Sequence, residues 1–111
     1  MSTIRNIEPK VTPVKYQVSI LTKENCLISD YYHYALNIER VDESKDLWAI
    51  RSLGVRYSRS GKPGYEPIPS SRTEYYKKSH SFTFEEAVAL AKKLAPNVEI
   101  NGRKAKSFLN S

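Results

Sequence analysis

Only one stretch of this chain carries a helical period, and that limits the folds open to it. Between Thr83 and Ala95, the residues Phe84, Ala87, Val88, Ala91, Leu94 and Ala95 recur at helical spacing on one face, and Pro96 stops the run. Thr83 with Glu86 three residues on makes a capping box, Glu85 and Glu86 suit the positive end of the helix dipole, and Lys92 and Lys93 suit its negative end. The other apolar runs alternate instead. Val14, Tyr16, Val18 and Ile20 alternate with Lys15, Gln17 and Ser19, and Tyr32, Tyr34, Leu36 and Ile38 alternate with His33, Ala35, Asn37 and Glu39. One amphipathic helix among strands predicts an α+β fold: an antiparallel sheet of four to five strands with the helix, about 83–95, packed on one face.

The remaining segments complete that sheet. Lys23-Glu24-Asn25 turns the first strand toward the second, so the two pair as a hairpin. Leu47 to Arg51 reads as a strand that turns Trp48 and Ile50 to the core and Ala49 and Arg51 to the other side, with Trp48 as the core anchor. Val55 to Arg59 alternates, Ser60 to Gly64 has hairpin-loop composition, and Tyr65 to Ile68 returns as a strand that Pro67 and Pro69 confine to an edge. Ser70 to Ser79 has no period and reads as an exposed loop, of a length that is usually functional or mobile. Val98 to Ile100 forms a last strand, Asn101-Gly102 a turn and Arg103 to Leu109 a short terminal helix. Pro9 and Pro13 mark residues 1–13 as a loose lead-in, and 111 residues without an internal repeat make a single domain, 1–111.

Charge is distributed unevenly. The chain has 18 Lys+Arg and 12 Asp+Glu, a formal net charge of +6. Residues 1–50 hold six basic and seven acidic side chains, whereas residues 51–111 hold twelve and five, so the second half is the electropositive one. There Arg51, Arg56, Arg59, Lys62, Arg72, Lys77 and Lys78 are set among Tyr57, Tyr65, Tyr75 and Tyr76, with Glu66 and Glu74 the only acids. Cations interleaved with aromatic rings suit phosphate contact plus base stacking. The same cations on strand faces and in loops also describe a solvated surface. Tyr57 and Tyr65 meet across the 60–64 loop, as a cross-strand pair or a stacking platform. Tyr75-Tyr76-Lys77-Lys78, in a loop with no core to serve, has the composition of an interaction hot spot. The candidate nucleic-acid or partner-binding residues are therefore Arg51, Arg56, Arg59, Lys62, Arg72, Tyr75, Tyr76, Lys77 and Lys78.

Other chemistries lack their residues. Cys26, a single cysteine, closes no intrachain disulfide and fits a reducing compartment. No apolar run reaches the roughly 18 residues of a membrane span, and Met1 to Lys10 lacks the apolar core of a signal peptide, so the expected setting is cytoplasmic with no membrane partner. There is no Gly-rich phosphate loop, HExxH helix, nucleophile elbow or Cys/His metal spacing, and no catalytic residue, cofactor or metal ligand is expected. His33 and His80 read as surface or hydrogen-bonded histidines. A metal-independent ribonuclease of the small basic toxin kind would need only Tyr, Arg, Lys and His around a phosphate, and the composition permits it.

Trp48-Ala49-Ile50-Arg51, then Tyr65-Glu66-Pro67-Ile68-Pro69-Ser70-Ser71-Arg72, then Phe82-Thr83-Phe84-Glu85-Glu86-Ala87 and a following Asn-Gly resemble small uncharacterised proteins encoded by bacteriophages and other mobile elements. The likeness covers about residues 47–102 and is most specific at 65–72. It implies a phage accessory protein acting in a bacterial host cell, and names no reaction. More loosely, Gly54-Val55-Arg56-Tyr57, Ser60-Gly61-Lys62 and the helix from Phe82 are similar to the three-stranded-sheet DNA-binding domains of phage integrases and plant ethylene-response factors. In those families the sheet reads DNA, but the prolines at 63, 67 and 69 interrupt the corresponding strands here. The function expected is binding of nucleic acid or a nucleoprotein without catalysis. The alternative is inhibition of a host defence system or host enzyme through protein contact, as an anti-CRISPR-like protein would do.

Overall fold

A computed structural model describes residues 8–109 of the chain. Its main feature is a five-stranded antiparallel meander, β1 (Lys15–Val18), β2 (Leu36–Arg40), β3 (Trp48–Ser52), β4 (Val55–Tyr57) and β5 (Pro63–Tyr65), in that spatial order. A six-residue helix, α1 (Glu74–Ser79), and an eleven-residue helix, α2 (Phe84–Leu94), follow. Two short strands, β6 (Glu99–Ile100) and β7 (Arg103–Lys104), make a separate hairpin. The α+β architecture expected from the periodicities is the one observed. No helix among the described residues is long and apolar enough to cross a membrane.

Register explains the core. Tyr16 pairs with Ile38 and Ile38 with Ile50, so these residues share one face, and α2 covers it with Ala87 and Ala91, both fully buried. Leu36, Ile38, Trp48, Ile50 and Tyr57 bring the sheet into the core, and Trp48 is buried beside Tyr16 and Phe84. The capping box at Thr83 and Glu86 forms as its sequence implies. Asp46 Oδ1 adds a tie across the fold, accepting from Trp48 Nε1 at 2.8 Å and from the Phe84 amide at 3.0 Å. The starts of α2 and β3 are thereby fixed to one carboxylate.

Several expectations are corrected. The second strand begins at Leu36, and Tyr31–Tyr34 form a 3-10 turn in which Tyr34 is buried while Tyr32 points to solvent. The reason is length: β1 has four residues to pair, and none lies opposite 32–34. As the other edge of the sheet, β1 leaves Val14 exposed and Tyr16 only partly covered. The return strand is 63–65, not 65–68, so Tyr65 pairs with Val55 and Tyr57 with Pro63. Tyr57 is buried and Tyr65 is 90% exposed, and no Tyr57–Tyr65 pair forms. The expected loop at 70–79 is a 3-10 turn at Pro69–Ser71 followed by α1, capped by Thr73 Oγ1, which accepts from the Tyr76 amide at 3.0 Å. Six residues are too few to display a helical period, although the cap and the flanking charges are present. At the end of the chain Asn101 and Gly102, at φ 52° and 78°, turn β6 into β7, and Ala105–Phe108 closes as a 3-10 turn rather than a helix spanning 103–109. The lead-in expected for 1–13 lies partly outside the described residues, and 8–14 carry no regular structure. Cys26 is buried, its Sγ donating to the Thr22 carbonyl at 3.2 Å.

Candidate nucleic-acid interface

The nine candidate residues divide into two groups. The first lies on the sheet face turned away from α2. The tight turn between β3 and β4 sets Arg51 directly opposite Arg56, and like charges so placed repel. Glu66, just past β5, answers both. Its Oε2 accepts from Arg51 at 2.7 Å and Arg56 at 3.0 Å and forms an ion pair with Arg72 at 2.9 Å, and its Oε1 accepts from Arg51 Nε at 2.7 Å. Arg51 also reaches Glu39 at 3.0 Å, and Arg72 Nε donates to the Pro67 carbonyl at 2.9 Å. Arg56 is 2% exposed and spends its other donors on the His80 carbonyl, at 3.1 and 3.0 Å, and on Ser81 Oγ at 3.2 Å. The hydrogen bonds from Arg51 hold the Glu66 carboxyl down at about 2, against the opposing effect of burial. The same bonds push Arg51 up, whereas burial pulls Arg56 down.

Tyr76 belongs with this group. Its ring stacks on His80 at 4.0 Å and faces the Arg56 guanidinium at 5.6 Å, and burial raises its hydroxyl pKa. Its Oη is buried with no hydrogen-bond partner among the described residues. His80 Nδ1 bonds within the same corner, at 2.7 Å from Ser79 Oγ and 3.0 Å from the Tyr76 carbonyl. Arg51, Arg56, Arg72 and Tyr76 thus meet one another and bind the 66–81 segment to the sheet.

The second group is on the outside. Arg59 joins the β4–β5 turn to both helices: its amide donates to the Ser79 carbonyl at 2.8 Å, its Nε to the Lys78 carbonyl at 3.1 Å, and its guanidinium pairs with Glu86 at 3.2 Å. Lending donors to the last carbonyls of α1 satisfies groups that a helix end leaves open. The Glu86 carboxyl is held below its ordinary value by the Thr83 amide and then by Arg59. The turn itself depends on Gly61, at φ 82°, where a Cβ would also lie 3.3 Å from Leu94 Cδ2. Lys62, Tyr75, Lys77 and Lys78 are exposed, with Tyr75 at 81%, and Lys77 pairs with its neighbour Glu74 at 3.4 Å.

Two open clefts border α1. One, of about 600 Å³, is lined by Asp42, Lys45, Leu47, Arg59, Glu74, Lys77, Lys78 and Ser81. The other, of about 350 Å³, is lined by Ser58, Arg59, Ser60, Tyr75, Ser79 and His80. Arg59 is common to both. Sequence reasoning noted Glu66 without assigning it a partner, although it is the only acid between Arg51 and Arg72. Lys45, Ser58 and Ser60, which also line these clefts, are distant from α1 in sequence, and His80, just past it, is a single commonplace histidine.

Among the described residues no group of three or more His, Cys, Asp or Glu side chains is placed to hold a metal ion. Comparison with family models, curated proteins and solved structures finds no match to this chain.

Proposed function

We propose that this is a non-catalytic accessory protein, of the kind phages encode, that binds nucleic acid or a nucleoprotein through the outer surface of α1 and the adjoining turn. The observation that carries this reading is that exposed Tyr75 lines one cleft against α1 while Lys45, Lys77 and Lys78 line the other, with Arg59 bordering both. An exposed aromatic ring among cations offers stacking and phosphate neutralisation together. Arg51, Arg56 and Arg72 take a supporting part, because Glu66 already occupies their donors and Arg56 has no solvent-facing surface to offer. The likeness of residues 47–102 to phage-encoded proteins supplies the setting of a bacterial host cell. The test is fluorescence anisotropy of labelled RNA and DNA with the purified protein at low and physiological salt. Binding that weakens as salt rises, and that Lys77→Glu with Lys78→Glu abolishes, supports the reading; binding that ignores both refutes it.

A second reading, inhibition of a host protein, draws on a different observation. The 65–72 segment is held by Glu66 and Arg72 while Tyr65 and Ile68 stand out into solvent. A rigid segment presenting apolar side chains loses little freedom on docking to a protein surface.

A further inference from the structure

Resting on the nucleic-acid reading, we infer that the ligand is a single strand, and that the cleft bounded by Ser58, Ser60, Tyr75 and His80 receives one unpaired nucleotide of it. The lining is divided in chemistry. Tyr75 provides one aromatic wall, 81% exposed, and a base can lie on such a ring only when it is free of a duplex partner. The rest of the wall is polar. Ser58 Oγ and Ser60 Oγ lie 2.8 Å apart, sharing one proton between them and leaving the other free to donate outward. His80 turns Nδ1 inward, donating to the Tyr76 carbonyl beside Ser79, so in the neutral ring Nε2 is the acceptor left to meet a sugar hydroxyl. A volume of about 350 Å³ is within the range of sites that hold one small ligand.

Continuity with the larger cleft gives the strand a path. Arg59 borders both, and beyond it Lys45, Lys77 and Lys78 line the next stretch, where a neighbouring phosphate would sit. The two acids of that cleft are engaged, Asp42 accepting from Ser44 at 2.8 Å and Glu74 lying 3.4 Å from Lys77. Helix α1 has six residues, about 9 Å of axis, and does not span the contacts of a major-groove recognition helix. Tyr76, expected from sequence to stack alongside Tyr75, is instead committed to His80 and Arg56, which leaves Tyr75 as the stacking ring of this cleft.

The experiment compares four fluorescein-labelled 12-mers at one low salt concentration: oligothymidine, oligouridine, a mixed-sequence duplex, and an abasic strand with the phosphates of the first and no bases. Expected are at least tenfold tighter binding of a base-bearing single strand than of the duplex or the abasic strand, a loss of about tenfold on Tyr75→Ala, and retention with Tyr75→Trp. Unchanged thermal unfolding of Tyr75→Ala shows that the fold is intact. Equal affinity for single strand, duplex and abasic strand, with Lys77→Glu still damaging, overturns the single-strand inference and leaves the charge-based reading standing. Failure of all four probes to bind even at low salt overturns both.

Discussion

Arg51 and Arg56 stand directly opposite one another on adjacent strands, and a single carboxylate oxygen of Glu66 accepts a hydrogen bond from each. Arg72, from beyond the 3-10 turn, adds an ion pair to the same oxygen. The arrangement turns a repulsive cross-strand pair into a fastening for the chain segment that leads into α1.

Removing Glu66 should therefore be costly. Glu66→Gln keeps the shape but leaves a buried Arg56 without its counter-charge, and breaking such pairs costs about 3–5 kcal/mol when fully buried. The edge of this cluster is open to water, so a loss of about 2–4 kcal/mol is expected, measured as a lower urea midpoint with unchanged slope. A midpoint within error of the parent would sink the assignment of Glu66 as the fastening.

The same carboxylate predicts an acid limb. Its folded pKa, about 2, lies below the ordinary carboxylate value of 4.5. A depressed acid stabilises the fold above its unfolded pKa, and the contribution drains away as pH falls from about 5 toward 2. Allowing for solvent at the rim, it amounts to on the order of 2 kcal/mol. The stability difference between parent and Glu66→Gln should shrink across that window, and a difference independent of pH would contradict the prediction.

Arg59 should act on α1 more than on α2. Arg59→Ala removes the side-chain bond to the Lys78 carbonyl and the Glu86 pair while the capping box of α2 remains. Hydrogen exchange should accelerate in 74–80 and change little in 87–94. Equal acceleration in both helices would mean that the two unfold together.

Thr83→Ala should cost about 1 kcal/mol, the usual value of an N-cap, because Thr83 Oγ1 accepts from the Glu86 amide. Calorimetry would show this as a drop of several degrees in Tm, and no drop would mean that Asp46, bonded to the Phe84 amide, holds the helix start alone.

The nucleic-acid reading makes a quantitative statement about salt. For a single strand, each phosphate neutralised contributes about −0.7 to the slope of log K against log salt. Contacts from Lys62, Lys77 and Lys78 give about −2, and each Lys→Glu change should flatten the slope and weaken binding across all sequences. Weakening for one sequence alone would point to base contact rather than phosphate.

What the amino-acid sequence determined by itself was whatever depends on neighbours along the chain. Thr83 and Glu86 cap α2 because they are one turn apart, Asn101-Gly102 turns because those two residues tolerate positive φ, and the alternation through Ile38 and Ile50 puts both under the helix. Tertiary structure decided which cations are free. Glu66 is 15 residues from Arg51 and six from Arg72, and only the register of β3, β4 and β5 brings those three arginines to its carboxylate. A run of basic residues in sequence carries no record of which charges are already neutralised, because Coulomb pairing depends on distance in space. Hence Arg56 and Lys78, alike as letters in a basic segment, are a buried fastening and an exposed cation.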